Sequence, residues 1–318
     1  MNMNNISEIF SSVVMPVHNG EKYLREAIES VLNQTYTNFE FLIIENCSTD
    51  SSVAIIKSYN DPRIKLMIEN DCGQVQAYNR GFKEAKGEYI FIHDHDDISH
   101  PERFEKQLKC MVEKNIDICG TFMRLLDKNN IVISYTKVVL KNKKVRERLL
   151  YDCSVIHNSS VCLKSNIYKR IGYWDAKFYP LSDVEFYLRA REHSIFGNIS
   201  EPLYSWRKHK HQLSYEQSKK SRRILKQLEL KYLSNRKSEF EEREDFYYMS
   251  LIFYYTDYLV YALIYNVISI LKGKFDKSVL RYFVILTILG IPLKLFRKFS
   301  LTNSRLFLIS KTFLNKML

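Results

Sequence analysis

The chain has 318 residues, 46% of them hydrophobic and 26% charged, which suffices for one large domain with a smaller appendage and excludes a disordered chain. Its net charge of +12 is uneven: residues 207–318 carry 22 basic and 9 acidic side chains, so the excess belongs to the C-terminal third. That third has no zinc-finger spacing, glycine-rich RNA signature or basic zipper, so nucleic acid is not the expected partner.

In chain order, residues 12–17 are a short β-branched run and predict a buried strand. Residues 21–33 follow helical periodicity, with Tyr23, Leu24, Ala27, Ile28, Val31 and Leu32 on one side. A second strand is expected at 39–44, a short helix at 53–59 and a third strand at 64–68. A helix at 74–85 follows, with Gly87 expected as its C-cap, and then a fourth strand at 89–93. Alternating strands and helices imply βαβ units, a mostly parallel sheet and helices on both faces. Ligands of such sheets bind at the carboxyl ends of the strands, here His18–Asn19, Glu45–Ser48 and Asp94–Asp97. The second half is more mixed. It offers a strand at 161–163, a helix at 183–192, a strand at 202–206 and helical pattern beyond Ser214. Six cysteines form no C-x-x-C pair and no disulfide framework, so unpaired thiols in a reducing cytosol are expected.

Three carboxylates in four residues, Asp94, Asp96 and Asp97, repel one another unless a cation or solvent offsets them. At the end of a buried strand a hard divalent ion with a diphosphate suits them. An acidic turn capping the next helix is the plainer alternative, and a metal-dependent phosphatase also places D-x-D after an apolar strand. Glu45 and Asn46 can hydrogen-bond a nucleobase or ribose, or simply shape a turn. Asp183 opens an amphipathic helix, where it is either a general base at the mouth of the site or a helix cap.

Taken together, these segments resemble family 2 glycosyltransferases. Val13-Val14-Met15-Pro16-Val17-His18-Asn19 is similar to that family's opening strand and nucleotide loop, and Ser30-Val31-Leu32-Asn33-Gln34-Thr35 to its S-x-L-x-Q-T segment. Glu45–Asp50 stands where D-D-G-S-T-D is common. Gly73, Asn79-Arg80-Gly81 and Ala85-Lys86-Gly87-Glu88-Tyr89 resemble the N-x-G…A-x-G-x-Y block, and Asp94-His95-Asp96-Asp97 the D-x-D-D metal motif. Gly172-Tyr173-Trp174-Asp175 with Ser182-Asp183 resembles the acceptor region, and Trp206-Arg207-Lys208-His209 the closing aromatic-Arg-x-His.

The resemblance implies a GT-A fold over residues 1–215 and an inverting transfer of one sugar from a nucleoside-diphosphate sugar, a UDP-sugar first. The acceptor would be a glycan or lipid-linked hydroxyl in bacterial surface polysaccharide synthesis. It implies Asp183 as base, and Asp96 with Asp94 as ligands of Mn2+ or Mg2+. Pro16, Val17, His18, Glu45, Asn46 and Asn79 would serve the nucleotide, with Arg80, Arg207 and His209 near the phosphates. A binding protein without transfer activity is the alternative, against which Asp96 and Asp183 both argue. Asn46 replaces an aspartate and would accept from a uracil N–H through its uncharged amide oxygen. Cys47 replaces a glycine, and no Q-x-x-R-W segment of processive synthases is present.

Residues 216–318 form the expected helical, basic appendage. Segment 246–271 is long enough to span a bilayer but contains Asp257, Asn266 and seven tyrosines, and 282–296 is a second apolar run. Residues 272–318 carry ten basic and one acidic side chain. Attachment to an anionic membrane surface, a packed appendage and a true span all remain open. The expected location is the cytoplasm, peripheral on the inner face of the cytoplasmic membrane.

Overall fold

In the computed structural model, residues 6–150, 155–209 and 218–232 are described. The first half runs β1 (Ser11–Val17), α1 (Leu24–Leu32), β2 (Phe39–Asn46), α2 (Ser52–Lys57), β3 (Ile64–Glu69), α3 (Gln74–Glu84) and β4 (Tyr89–Ile92). These are the strands and helices expected, because each apolar run is bounded by polar turns. Strand β1 pairs in parallel with both β2 and β4, and β2 with β3.

The second half adds β5 (Ile98–Ser99), α4 (Arg103–Glu113), β6 (Ile118–Leu126), β7 (Val132–Thr136), α5 (Asn142–Arg148), β8 (Cys162–Lys164), α6 (Asn166–Ile171), α7 (Ser182–Ala190), β9 (Phe196–Arg207) and α8 (Ser218–Tyr232). The sheet order is β3-β2-β1-β4-β8-β6-β9-β5, with β7 beside β6. Strand β9 is parallel to β6, but β8 is antiparallel to β4 and β6, β7 to β6, and β5 to β9. The sheet is therefore mixed, not mostly parallel. The parallel arrangement holds where βαβ crossovers connect the strands, and it ends where the chain returns without them.

Side chains of the central strands alternate between two cores. Val13, Met15, Phe41, Ile43 and Phe91 pack under α1 and α4, whose Leu24, Ile28, Phe104 and Leu108 are fully buried. Val14, Leu42, Ile44, Ile90 and Ile92 face α3 and α7 on the other side. Ile224 and Leu228 of α8 join that second core, so the chain after residue 215 still packs on this layer. Among the described residues no helix is long and apolar enough to cross a membrane. Segments 246–271 and 282–296 lie outside the described residues.

Gly87 does not cap α3. The helix ends at Ala85, which already has extended backbone (φ −61°, ψ 124°). Gly87 instead lets β4 start hard against β1. Its N–H donates to Ser12 Oγ (2.8 Å), and a Cβ there would lie 2.4 Å from both Ser11 C and Ser12 N. These are backbone atoms of a central strand and cannot swing away. Gly87→Ala should therefore destabilise the fold by about 1–3 kcal/mol, as overpacking does. Urea denaturation checks this, and an unchanged midpoint would show that β1 and β4 can separate.

Candidate active site

Parallel pairing places the ends of β1, β2 and β4 along one edge of the sheet. Val17 is opposite Glu45 in the register, and Val14 opposite Ile92, just ahead of the carboxylate loop. The first two loops are knitted together. Asn19 N–H donates to Ser48 Oγ (3.0 Å), Thr49 N–H to Asn19 Oδ1 (2.9 Å) and Gly20 N–H to Ser52 Oγ (2.9 Å). His18 Nδ1 donates to the Asn46 carbonyl (2.7 Å), and Glu45 accepts the Ser48 N–H (2.5 Å). Pro16 contributes its carbonyl, which accepts from His95 Nδ1 (3.2 Å). Val17 is fully buried beneath this rim, and His18 is exposed upon it.

The amide oxygen of Asn46 accepts the Gly73 N–H (2.9 Å), which fixes the side chain's orientation because a backbone N–H can only donate. Its second lone pair and its NH2 group are what it has for a nucleobase. Beside it, Cys47 is disulfide-bonded to Cys72, with Cα atoms 5.7 Å apart. This corrects the expectation of unpaired thiols, because the loops after β2 and before α3 bring together two residues that sequence spacing does not relate. Cys47 adopts φ 58°, the left-handed conformation a glycine takes without cost. Cys110, Cys119 and Cys162 remain free thiols.

The carboxylate loop draws partners from α3, from β9 and from the residues just after β9. Tyr78 of α3 donates to Asp94 Oδ1 (2.5 Å), and the Asp94 N–H donates to the hydroxyl of Tyr204 in β9 (3.1 Å). His209 Nε2 donates to Asp96 Oδ2 (2.8 Å). Asp97 is fully buried; Oδ1 accepts the Arg207 N–H (2.8 Å), and Oδ2 has no hydrogen-bond partner. Electrostatics separates the three. Burial, then the Asp96 charge, pushes Asp94 up to about 6, although the Tyr78 bond opposes this. Burial pushes Asp96 up as well, but the His209 bond and the charges of His95 and His209 outweigh it, and Asp96 is held low. Burial and both neighbouring carboxylates raise Asp97 well above the carboxylate range. His93, just before them, is kept neutral by burial and by Arg103, its pKa falling to about 3.

Asp183 lies in the first turn of α7, whose N-cap is Leu181, so it is not the cap itself. It borders a small cleft lined also by Gln74, Val75, Asn158, Trp174 and Ser182. Burial raises its pKa to about 6. The backbone N–H groups of Val184 and Asp183 pull it down, and the charge of Asp94 pushes it up. Asp94 and Asp183 are thus close enough to feel each other. Asn158 accepts from the Tyr187 hydroxyl (2.6 Å) one turn further along α7.

The remaining sequence candidates are placed as follows. Asn79 clamps Trp174, donating to its carbonyl (2.9 Å) and accepting its N–H (3.1 Å), and so serves the cleft wall. Arg80 stands on the exposed side of α3 and pairs with Glu84 (3.3 Å). Arg207 is fully buried: its guanidinium donates to Glu26, to Asn130 and to the Asp96 carbonyl (2.9 Å), and it stacks on Tyr23. It supports the loop from within. Tyr78, Tyr204, Asn158 and the Cys47–Cys72 pair were not singled out from the sequence. Nothing in the sequence separates the two tyrosines from ordinary core aromatics, and only their contacts with Asp94 distinguish them.

Among the described residues no three His, Cys, Asp or Glu side chains converge into a metal cage. Two partly exposed carboxylates, Asp94 and Asp96, are nevertheless a donor set of the kind that suits Mn2+ or Mg2+ where substrate phosphates complete the shell. The like-charge repulsion that raises Asp94 is what a cation there would relieve. The residues fit such an ion.

Residues 12–172 match the family model described as glycosyl transferase family 2. An uncharacterised glycosyltransferase of Methanocaldococcus jannaschii is 35% identical over 205 residues, covering 62% of this chain and 70% of that one. The Escherichia coli O-antigen biosynthesis glycosyltransferase WbnJ is 32% identical over 205 residues, 62% and 79% of the two chains. Among solved structures, S. aureus TarS in complex with UDP-GlcNAc superposes with a TM-score of 0.59 at 19% identity, over 77% of this chain and 71% of that one. The mannosyltransferase PcManGT of Pyrobaculum calidifontis, in complex with GDP-Man and Mn2+, gives 0.58 at 13% identity, over 93% and 84%. The latter two establish a GT-A fold. Strand ends, carboxylate loop and family match agree, and the chain belongs to glycosyl transferase family 2.

Proposed function

We propose that this glycosyltransferase is metal-dependent and inverting, and moves one sugar from a UDP-sugar to a hydroxyl of a glycan or lipid-linked acceptor in bacterial surface polysaccharide synthesis. The observation that carries this reading is Asp183: a carboxylate raised to about 6, in a cleft, within electrostatic reach of Asp94. A base with that pKa is ionised near neutrality yet basic enough to accept a proton from an attacking hydroxyl. The rim residues Pro16, Val17, His18, Glu45 and Asn46 hold the nucleoside, and Asp94 and Asp96 hold the metal. When bound, the ion supplies charge stabilisation to the departing diphosphate. His209 orients Asp96, Arg207 holds the loop from beneath, and Asn79 fixes the Trp174 wall. One base with no second carboxylate nucleophile supports single displacement, so an α-linked donor gives a β-linked product. UDP and GDP-Man are ligands of the fold neighbours, and WbnJ acts in O-antigen synthesis by its name. These relatives support the substrate class.

Three outcomes test the reading. Asp183→Asn keeps size but cannot take a proton. Transfer should fall by roughly two to four orders of magnitude while donor affinity and melting temperature hold. The wild-type rate should fall as pH drops through about 6, where Asp183 gains its proton, and the residual Asn rate should lose that limb. Near-normal turnover in the variant removes Asp183 from the mechanism. For the metal, Asp96→Ala should abolish the Mn2+-dependent part of UDP binding in calorimetry, and an unchanged dependence would reassign the ligand. For the nucleotide rim, Cys72→Ser or reduction by dithiothreitol unlinks the loops that carry Asn46 and Gly73. UDP binding should weaken by about tenfold as preorganisation is lost. Equal affinity, with bond cleavage confirmed by mass, would show that the Asn46–Gly73 contact alone holds the rim.

A further inference from the structure

Nine large hydrophobic residues are exposed among the described ones, and five of them, Ile131, Val132, Ile133, Tyr135 and Leu140, fall within ten consecutive positions. They lie on and beside β7, which pairs with β6 on one side. Ile131, Ile133 and Tyr135 are 60%, 53% and 59% exposed and alternate along the strand, so they share one face. The hairpin exposes Lys128 and Lys137, and the chain that follows it exposes Lys141, just before α5, and Lys143 and Lys144 on α5, where Lys143 also approaches Glu147 (3.9 Å); Asp127 is the one acidic residue among positions 127–144. Asp127 is occupied within the turn, where Oδ1 accepts the N–H groups of Asn129 (2.8 Å) and Ile131 (2.9 Å).

An apolar strand face rimmed by lysines is unfavourable in water and fits an interface that is apolar within and anionic at its surface. We propose that the β6–β7 hairpin docks on an anionic lipid surface, with Ile131, Ile133 and Tyr135 entering the headgroup boundary and the lysines meeting lipid phosphates. Tyrosine suits that depth, and each lysine near the surface adds electrostatic attraction. A second copy of the chain is the weaker occupant. Edge-to-edge pairing of β7 with its own copy would set one lysine rim against the other. The proposal draws on none of residues 246–318 and does not depend on the donor or acceptor.

The hairpin is rigidly joined to the active site. At its turn, Asn130 accepts from the Arg207 guanidinium (2.7 Å) and donates to Glu26 (2.9 Å), and Arg207 in turn holds the Asp96 carbonyl. Docking the hairpin therefore brings the carboxylate loop to the lipid surface.

The test uses the full chain carrying Ile133→Trp, a substitution that an exposed edge-strand site tolerates. Its fluorescence, above the background of Trp174 and Trp206 in the unsubstituted chain, is followed with phosphatidylglycerol vesicles whose acyl chains are brominated near the headgroup. The expected result is a blue shift with bromine-dependent quenching. It should be absent with phosphatidylcholine alone and reduced several-fold when Lys137→Glu and Lys141→Glu are added. Co-sedimentation with vesicles but no bromine quenching would overturn the proposal, placing attachment elsewhere in the chain. A blue shift that tracks protein concentration and dimer mass without lipid would overturn it in favour of a second copy.

Discussion

Three carboxylates crowd the end of a buried strand, and much of the second half of the chain is arranged around their charge. Bringing such groups out of water is costly unless each finds a partner. Asp94 takes Tyr78 from α3 and Tyr204 from β9; Asp96 takes His209; Asp97 takes the backbone of Arg207. The chain that follows β4 must therefore return to it, and β9 does so by running parallel to β6 and ending at the loop. The solutions are unequal by design of the surroundings: Asp96 is held ionised, Asp97 is driven toward the neutral acid, and Asp94 lies between them. One loop thus offers a firm anion and an adjustable one.

Two buried arginines make this possible. Arg103 sits under the sheet, donating to the Ile92 carbonyl (3.0 Å), the Val161 carbonyl (3.2 Å), Ser99 Oγ (3.0 Å) and Gln107 (2.9 Å). It bridges the end of β4 and the start of β8, just before the carboxylates. Arg207 does the same beyond them, with Glu26, Asn130 and the Asp96 carbonyl. Planar guanidinium forks can satisfy several carbonyl and carboxylate oxygens at once, which a lysine in either place could not. Both arginines are structural supports of the carboxylate loop, and the charge of Arg103, after burial, also helps keep His93 neutral.

The first half of the fold was legible because its buried strands are uninterrupted apolar runs and its helices carry one clean stripe. β6 was not, because it includes Gly120 and Thr121 and shows no clean period. A helix after the carboxylate loop was expected near residues 101–108 and is α4, but its core face contains Arg103 and Gln107, both fully buried, which nothing in the pattern announced. Hydrophobic patterning cannot anticipate a buried arginine whose partners lie on other elements. The carboxylate loop stood out because three like charges at the end of a buried strand repel one another, whereas Asp183 stood out only through its motif, since an acid at a helix start is favourable in itself. Their partners were not. Tyr78 and Tyr204 look like any core tyrosine until Asp94 is beside them, and Cys47 and Cys72 are 25 residues apart with no motif between them. Arg207 was read as a phosphate contact from its place in the motif. Whether a guanidinium faces a ligand or the interior depends on neighbours such as Glu26 and Asn130, far away in sequence.

The helix that carries Asp183 shows the same logic beside its cleft. Glu185, two residues on, has a carboxylate 1% exposed, and it is satisfied by Arg189 (2.8 Å), by Lys231 (2.9 Å) and by the Tyr232 hydroxyl (2.7 Å). Arg189 in turn donates to the carbonyls of Ile171 and Tyr173, next to the Trp174 wall of the cleft. So the first turn of α7 is tied on one side to the cleft and on the other to α8. A boundary drawn at residue 215 would remove Lys231 and Tyr232, and would leave Glu185 with Arg189 alone. It would also strip Ile224 and Leu228 from the core beneath α7. The orientation of Asp183 toward its cleft therefore rests on packing that the sequence motifs do not include, and the layer beneath α7 extends at least through Tyr232.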